Sequence, residues 1–217
     1  MFIYDIIKGI SKGKSLVRTL MNLELKNYSI GGKVLDIGGG KKPSYYSFLK
    51  KYDNMEVVNI DAKSMQIDLE KDKLPVDNGS IDNVLMFNIL EHIYNHNFLA
   101  SEVYRVLKQN GQVLGFVPFL VNYHPDPHDY FRYTKEALEK IFYQAGFKEI
   151  YIKRIGKGPI AVNYNNIVLS LPKIVSVIIF PIYYCLDWLI VKLKPKIVER
   201  YPLGYMFKLS KSGKEIN

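Results

Sequence analysis

The sequence is poor in cysteine, with one among 217 residues. Because a single cysteine cannot form an intramolecular disulfide, the chain is not a disulfide-stapled secreted scaffold. The N-terminal residues lack the basic, apolar and small-residue regions of a secretory signal, since Asp5 and Lys8 interrupt their apolar pattern. The sequence shows no internal repeat and no low-complexity segment. These absences predict a globular cytoplasmic protein.

The formal net charge of +9 is unevenly distributed along the chain. Residues 151–217 carry 11 basic and 3 acidic side chains, whereas residues 1–150 carry 19 and 18. The basic excess accompanies an apolar tail and not a groove interleaved with aromatic residues, so we do not expect nucleic acid as a partner. Any basic partner surface belongs to the tail.

The most informative stretch is residues 34–43, an apolar run that contains Asp36 and then breaks into Gly38, Gly39 and Gly40. An apolar run too short for a helix and closed by glycine is typical of a buried parallel strand that enters a ligand-binding loop. Since glycine has no Cβ, a ligand can lie against the bare backbone at the carboxyl end of this strand.

Three kinds of loop compete for this pattern. A phosphate-binding NTPase loop requires a Gly-Lys-Ser or Gly-Lys-Thr ending that is absent here. A dinucleotide loop requires glycine at the offset that Pro43 occupies, and Asp36 would place a charge near the pyrophosphate. An acid two residues before the first glycine instead suits a ligand with a cationic end.

Two further polar residues follow apolar runs that we predict to be neighbouring strands. Asp61 ends the run 57–61, and a carboxylate there can accept hydrogen bonds from both vicinal hydroxyls of a ribose. A helix N-cap or a surface acid is the alternative interpretation of Asp61. Asn88 follows the run 84–87 and is expected beside the same crevice.

Taken in order, the motifs of residues 34–155 resemble class I S-adenosylmethionine (SAM) methyltransferases, in the branch that acts on small molecules and glycans (methyltransferase type 11). The glycine loop resembles their Asp-x-Gly-x-Gly-x-Gly motif, with Lys42 in place of the last glycine. The remaining motifs are Asp68-Leu69, Leu74-Pro75, Asp77-Asn78-Gly79-Ser80-Ile81-Asp82, Leu90-Glu91-His92-Ile93 and the stretch from Glu102 to Gln112. In the last stretch, Gln109-Asn110-Gly111 replaces the usual Pro-Gly-Gly, and we expect Gly111 to form a left-handed helix cap.

The resemblance implies a Rossmann-like α/β fold with a mostly parallel seven-stranded sheet, an antiparallel last strand and helices on both faces. It implies SAM as the cofactor, with Asp68 binding the adenine amino group and Leu69 its edge. The complete set of cofactor-binding residues that we predict is Asp36, Gly38, Gly39, Gly40, Asp61, Asp68, Leu69 and Asn88. We expect the first helix after the glycine loop to cover residues 45–51, and Glu102 and Arg105 to form a structural ion pair.

The four histidines form two His-x3-His pairs. His92 and His96 can share a helical face, but two prolines prevent a helix between His124 and His128, so we assign no metal ligands. His124 and His128 lie in a loop after a predicted strand and are candidate bases for a hydroxyl acceptor. The alternative is that both histidines only brace this loop.

The tail contains 18 residues, 174–191, with the single charge of Asp187. We predict a helical N-terminal segment over 1–30 and a SAM-binding domain over 31–217, with an apolar insertion at about 160–200. Because residues 205–208 should pair with 149–152 in the sheet, a single membrane crossing between them is disfavoured, and Pro181 should break the apolar run. An interfacial hairpin, a buried lid or dimer surface, and a true span all remain open, and we favour residues 167–196 on an anionic membrane surface.

The predicted function is SAM-dependent methyl transfer to a small-molecule, glycan or lipid-linked acceptor, on oxygen. The phrase His-Asp-Tyr-Phe-Arg-Tyr-Thr over 128–134 resembles methyltransferases associated with cell-surface polysaccharide synthesis. The alternatives are an NAD(P)-dependent oxidoreductase and a non-catalytic, membrane-associated SAM-binding protein. The oligomeric state stays open, and the protein is expected to be cytoplasmic and peripheral to the membrane.

Overall fold

A computed structural model describes residues 2–40, 43–50, 55–60 and 65–212. Over these residues the chain forms one sheet in the spatial order β2-β1-β3-β4-β6-β5. The strands are β1 (Lys33–Ile37), β2 (Glu56–Ile60), β3 (Ile81–Phe87), β4 (Leu107–Pro118), β5 (Glu149–Ile155) and β6 (Gly204–Ser210). The strands β1 to β4 are parallel where they pair, and β6 runs antiparallel between β4 and β5. The antiparallel last strand and its pairing with residues 149–155 confirm the sequence prediction.

The described sheet has six strands, so the prediction of seven is wrong for this part of the chain. The segment between β2 and β3 contributes no strand over its described residues, 65–80. The described part of that segment turns repeatedly, and it contains Pro75, which has no N–H to donate, and Gly79 at φ +60°. These features prevent a further strand from pairing over residues 65–80.

Six α-helices lie in the described residues. They are α1 (Phe2–Ser11), α2 (Leu16–Leu25), α3 (His96–Val106), α4 (Lys135–Gln144), α5 (Pro159–Val168) and α6 (Lys173–Leu193). Thr134 caps α4 by accepting a hydrogen bond from the Ala137 amide, as its position before the helix predicts. Short 3-10 helices cover Ser44–Phe48, Leu90–His92 and Pro195–Glu199.

The sheet is covered by helices on both faces, because the side chains of its inner strands alternate between two apolar layers. Leu35 and Met86 point into a core shared with α3 and α4. Val34 and Leu85 point to the opposite face, into a core shared with α2. A third apolar cluster joins α1 to α5 and α6. The predicted division of the chain at residue 30 stays a prediction.

Two local predictions are wrong. The helix expected over 45–51 is a 3-10 helix of five residues, Ser44–Phe48, which ends because Leu49 is extended at ψ 139°. Gly111 is not a left-handed cap, since α3 already ends at Val106. The left-handed residue of the following turn is Asn110, at φ 63°, and asparagine tolerates this conformation.

The apolar insertion before the last strand consists of α5 and α6. The chain reverses between the two helices, at residues 169–172, and α6 continues through Pro181, so the expected break there is wrong. Phe180 and Ser176 are buried against neighbouring helices, and this packing supports the helix where Pro181 lacks its N–H. Among the described residues α6 is long and apolar enough to cross a membrane, but β5 and β6 on either side of it pair in one sheet.

Candidate active site at the carboxyl edge of the sheet

The glycine loop follows β1 at the carboxyl edge of the sheet, as predicted. Gly38 and Gly40 have φ values of +82° and +66°, a region that residues with a Cβ rarely adopt. A Cβ built on Gly40 would meet no atom of the described residues within 4 Å, so they leave open space against this backbone. The Gly38 amide donates to the Ile60 carbonyl over 3.0 Å, which holds the end of β2 beside the loop.

The Asp36 carboxylate lies beneath the loop and is fully buried. It accepts hydrogen bonds from the Tyr45 hydroxyl at 2.6 Å and from the Tyr46 hydroxyl. Burial raises the pKa of Asp36, and the two tyrosine hydroxyls partly oppose this shift. A Cβ on Gly39 would lie 2.2 Å from Asp36 Oδ2, so Gly39 leaves room for this carboxylate. The structure therefore gives Asp36 a direct role in supporting the loop.

Of the three residues predicted to bind the ribose and adenine of the cofactor, the structure describes Asp68 and Leu69 but not Asp61. Asp61 falls outside the described residues, although Ile60 directly before it is held by the loop. Asp68 accepts from the Glu70 amide at 2.9 Å and pairs with Lys71 at 3.0 Å, and these contacts lower its pKa. The Leu69 side chain is buried in the main core. The roles of all three residues toward the cofactor stay predictions.

Asn88 stands at the end of β3 beside the glycine loop. Its φ is +55°, and a Cβ on Gly38 would contact the neighbouring Ile89 at 2.9 Å. The Asn88 side-chain oxygen lies 3.4 Å from Nη1 of Arg18, whose guanidinium also lies over the Tyr45 ring at 5.7 Å. Helix α2 therefore reaches the candidate cofactor site.

A second polar group at this edge consists of Glu91, His92 and His124. Glu91 and His92 follow β3 in a 3-10 turn, and His124 follows β4. Glu91 is fully buried, and within the described part of the chain neither of its carboxylate oxygens has a hydrogen-bond partner. Its Oε1 lies 3.8 Å from Nε2 of each histidine, which is longer than a hydrogen bond. The contact with Glu91 is the main cause of the raised pKa of His124, which burial partly opposes.

The other histidines are not part of this group. The His128 side chain is exposed, and only its backbone carbonyl contacts His92, at Nδ1. His96 begins α3 and packs edge-on against Phe131 at 5.1 Å, so it does not share a helical face with His92 as expected. The roles of His124 and His128 as bases stay predictions.

The loop that carries His124 is braced by an ion pair. Arg132 donates to both carboxylate oxygens of Asp129, with Nη2 at 2.6 Å from Oδ2, and Asp129 accepts from the His124 amide at 2.9 Å. Arg132 lowers the pKa of Asp129 to about 2. The expected structural pair elsewhere in the chain is confirmed, since Arg105 Nη2 lies 2.7 Å from Glu102 Oε2.

An apolar cavity of about 590 Å³ lies farther along the same edge, beside the end of β5. It is enclosed between α1 and α2 on one side and α5 and α6 on the other. Its apolar lining includes Ile6, Leu16, Leu20, Leu23, Ile155, Tyr164, Phe180, Trp188 and Val191. Since α2 carries Arg18 as well as three of these residues, one helix separates the cavity from Asn88.

The outward face of α6 is an apolar stripe. Its exposed members follow each other at helical spacing: Ile174, Ile178, Ile182, Leu186, Leu189 and Leu193. The only charge of residues 174–191, Asp187, is turned inward, where it accepts from the Ile160 and Ala161 amides at 3.0 Å each. The stripe therefore contains no charge, and Trp188 stands beside it with Lys192 over its ring at 4.9 Å.

Sequence reasoning missed Glu91, Arg18 and the inward turn of Asp187. The available signal for Glu91 was its place in the Leu90-Glu91-His92-Ile93 motif, directly before a histidine. Arg18 carried no such signal, because its contact with Asn88 joins residues 70 positions apart.

Comparison with known proteins agrees with this geometry. Residues 35–115 match the family described as a methyltransferase domain. A protein of Mycolicibacterium smegmatis named "Probable S-adenosylmethionine-dependent methyltransferase" is 29% identical over 77 residues, or 34% of this chain and 30% of its own length. The 2-methyl-6-phytyl-1,4-hydroquinone methyltransferase 1 of Oryza sativa is 28% identical over 149 residues, or 59% of this chain and 45% of its own. The matches thus span less than half of these relatives.

Among solved structures, a SAM-dependent methyltransferase from Thermotoga maritima has the same fold, with a TM-score of 0.55 and 15% identity over 94% of this chain and 92% of that one. The fold is that of class I SAM-dependent methyltransferases, and residues 35–115 match a methyltransferase domain. The described loop fits the cofactor of this class, since open space lies against Gly40 where a side chain would otherwise stand.

Proposed function

We propose that this protein transfers a methyl group from SAM to a hydroxyl oxygen of a lipid-linked acceptor, such as a glycolipid. The observation that carries the methyl transfer is the glycine loop at the carboxyl end of β1, in a sheet ordered as in methyltransferases. In this reaction SAM supplies an electrophilic methyl group, and the protein aligns the acceptor and removes its proton.

The cofactor would be held by the loop residues Gly38 to Gly40, with Asn88 beside them and Asp61, Asp68 and Leu69 around the nucleoside. Asp36 supports this site from below through Tyr45 and Tyr46. Arg18 closes it from the side of α2, where it contacts Asn88. A dinucleotide is a poorer fit, because Pro43 stands where such a loop requires its third glycine.

The apolar cavity supports a lipid chain as part of the acceptor. Its volume of about 590 Å³ and its apolar walls suit an isoprenoid or acyl chain. This chain is similar to the hydroquinone methyltransferase of Oryza sativa, and the hydroquinone in the name of that enzyme has a phytyl chain. With the lipid chain of the acceptor in this cavity, its polar head would extend along α2 toward Asn88 and His124.

The apolar stripe of α6 supports the proposal that the protein takes this acceptor from the surface of an anionic membrane. Trp188 suits the headgroup layer, and Lys192, Lys194 and Lys196 can reach acidic lipids at about 1 kcal/mol each. Phe2 is exposed and lines the cavity together with Trp188, so the cavity adjoins this face. A helix lying flat on the bilayer would bring the cavity to its lipid without crossing the membrane.

The proposal is tested by incubating the purified protein with methyl-labelled SAM and a total lipid extract, with water-soluble glycans in a parallel reaction. Label that enters the lipid phase and resists mild alkali, as an ether does, supports the proposal. Label found only in the water-soluble fraction contradicts the lipid-linked acceptor. SAM binding without label transfer to either fraction would favour the non-catalytic alternative.

A further inference from the structure

The unpaired carboxylate of Glu91 is the starting point for a second site. A fully buried carboxylate without a hydrogen-bond donor is costly, since burial removes its hydration. The Nε2 atoms of His92 and His124 each lie 3.8 Å from its Oε1. A cation between these three groups would stabilise the carboxylate.

The two imidazoles are oriented for this purpose. Nδ1 of His124 lies 2.8 Å from the Asn122 carbonyl, and Nδ1 of His92 contacts the His128 carbonyl. A carbonyl oxygen can only accept, so each Nδ1 donates its hydrogen, and each Nε2 offers a lone pair when its ring is neutral. Arg132 Nη2 also lies 3.3 Å from Nδ1 of His124. Metal-binding histidines are commonly oriented by such a contact at the other ring nitrogen. Both lone pairs therefore belong to the atoms nearest Glu91.

The three ligand atoms lie somewhat farther apart than the ligands of a bound metal ion do. One ligand atom from each of Glu91, His92 and His124 lies within 4.8 Å of the other two. With bonds of about 2.0–2.2 Å, tetrahedral ligands lie roughly 3.3–3.5 Å apart, so the two gaps of 3.8 Å from Glu91 must close by a few tenths of an ångström. The gap between the two histidines, which is at most 4.8 Å, must close by at most about 1.5 Å.

The backbone around the three ligands is fixed. The Glu91 carbonyl accepts from the Tyr130 amide at 2.9 Å, and the Tyr133 hydroxyl donates to the Leu90 carbonyl at 3.1 Å. Asp129 Oδ2 lies 3.6 Å from Nδ1 of His124, on the side of the ring away from Glu91. The His92 side chain is nearly buried, whereas the His124 side chain is 39% exposed, so the group opens toward solvent on the His124 side.

We propose that Glu91, His92 and His124 bind a divalent first-row transition metal such as Zn²⁺, with an open coordination position on the solvent side. Two imidazoles and one carboxylate favour such a metal over Mg²⁺, which prefers oxygen ligands alone. The open position would take a hydroxyl oxygen of the acceptor, and the metal would lower the pKa of this hydroxyl so that its proton passes to solvent water. The oxygen would then attack the methyl group of SAM, whose sulfur leaves as a thioether. That role rests on the proposed methyl transfer, but metal binding itself does not. It also excludes His124 as the base, since Nε2 cannot hold both a metal and a proton.

The test uses Co²⁺ as a spectroscopic probe and Zn²⁺ in calorimetry, on protein first treated with a chelator and without SAM. We expect one metal ion per chain and visible Co²⁺ bands of a site with imidazole ligands. Glu91→Gln, His92→Gln and His124→Gln should each weaken binding at least about 10²-fold. The matched control is His128→Gln, because only the backbone carbonyl of His128 contacts the site, and it should bind metal like the wild type.

The thermal stability of the same variants provides a second test, which holds even if a substitution changes the folding of the protein. Without metal, Glu91→Gln removes a buried unpaired charge and should raise the unfolding temperature, whereas Zn²⁺ should stabilise the wild type and not the variant. Equal affinity of wild type and Glu91→Gln for Co²⁺, or loss of binding in His128→Gln alone, would overturn the site. SAM affinity is measured on the same samples. A protein that binds the metal but not SAM would contradict the proposed function and leave the metal site supported.

Discussion

Arg18 Nη1 lies 3.4 Å from the side-chain oxygen of Asn88, so the second helix of the chain reaches the end of β3 beside the glycine loop. The Arg18 guanidinium also lies over the ring of Tyr45, which donates to Asp36 under that loop. The N-terminal segment, the loop support and the sheet edge thus form one connected group. Helix α2 also walls the apolar cavity, and it connects the two parts of the proposed acceptor path.

This contact predicts that Arg18→Met weakens SAM binding by about 3- to 10-fold, as the loss of one hydrogen bond worth about 0.5–1.5 kcal/mol does. Methionine keeps most of the apolar stem, so the packing of α2 should survive. Calorimetric titration with SAM measures the effect. Lys8→Met, on the same N-terminal segment, is the control and should bind SAM normally. Unchanged affinity in Arg18→Met would remove Arg18 from the site.

Gly40 and Gly79 form a matched pair for testing the loop. Both have positive φ, +66° and +60°, and a Cβ on either would meet no atom closer than 3.9 Å. Gly40→Ala and Gly79→Ala should therefore cost similar stability, about 1 kcal/mol each. Only Gly40→Ala should weaken SAM binding, by at least about tenfold, because its methyl group enters the open space beside the loop. Equal SAM affinity in the two variants would contradict the loop assignment.

The partly buried pair of Glu102 and Arg105 predicts a dependence of stability on pH. Arg105 is the main cause of the lowered pKa of Glu102, so the stabilisation is fully present above the ordinary glutamate pKa and is lost as pH falls through the folded value. Glu102→Gln should cost about 1–3 kcal/mol at pH 7 and progressively less in acid, as measured by urea unfolding. Glu139→Gln breaks an exposed pair with Lys135 and should cost about 0.5 kcal/mol or less. A cost of Glu102→Gln that is constant between pH 7 and pH 3 would refute this account.

The apolar stripe predicts sedimentation with vesicles that contain phosphatidylglycerol, and little binding to neutral vesicles. High salt should weaken this binding without abolishing it, because charge and apolar burial both contribute. Replacing Ile178 and Ile182 together by serine should reduce it about tenfold or more. Tyr143→Ser removes an equally exposed apolar side chain from α4 and should have no effect. A protein that binds no vesicles and stays monodisperse without detergent would contradict the membrane surface.

The sequence predicted those parts of the fold that depend on local pattern. The run before Gly38 specified a buried strand and a ligand loop, and Thr134 specified the start of α4. The failures involve turns and tertiary support. Pro181 was expected to break α6, but packing of Phe180 against its neighbours holds the helix continuous. The seventh strand was inferred from resemblance alone, and the described residues form six strands.

The candidate site was predicted in outline but not in its contacts. Spacing along the chain joined His92 to His96 and His124 to His128, whereas the fold joins His92 to His124 through Glu91. Such a contact depends on which loops meet at the ends of adjacent parallel strands. A rule based on helical or short-range spacing cannot predict it. The same reason hid Arg18, whose partner lies on another element.

The most direct test of the account is calorimetric titration of the purified protein with SAM and, separately, with NADH and NADPH. The account predicts one SAM site per chain that Gly40→Ala weakens and Gly79→Ala does not, with no heat from either dinucleotide. Saturable binding of NADH or NADPH together with no binding of SAM would contradict the account and favour the oxidoreductase alternative.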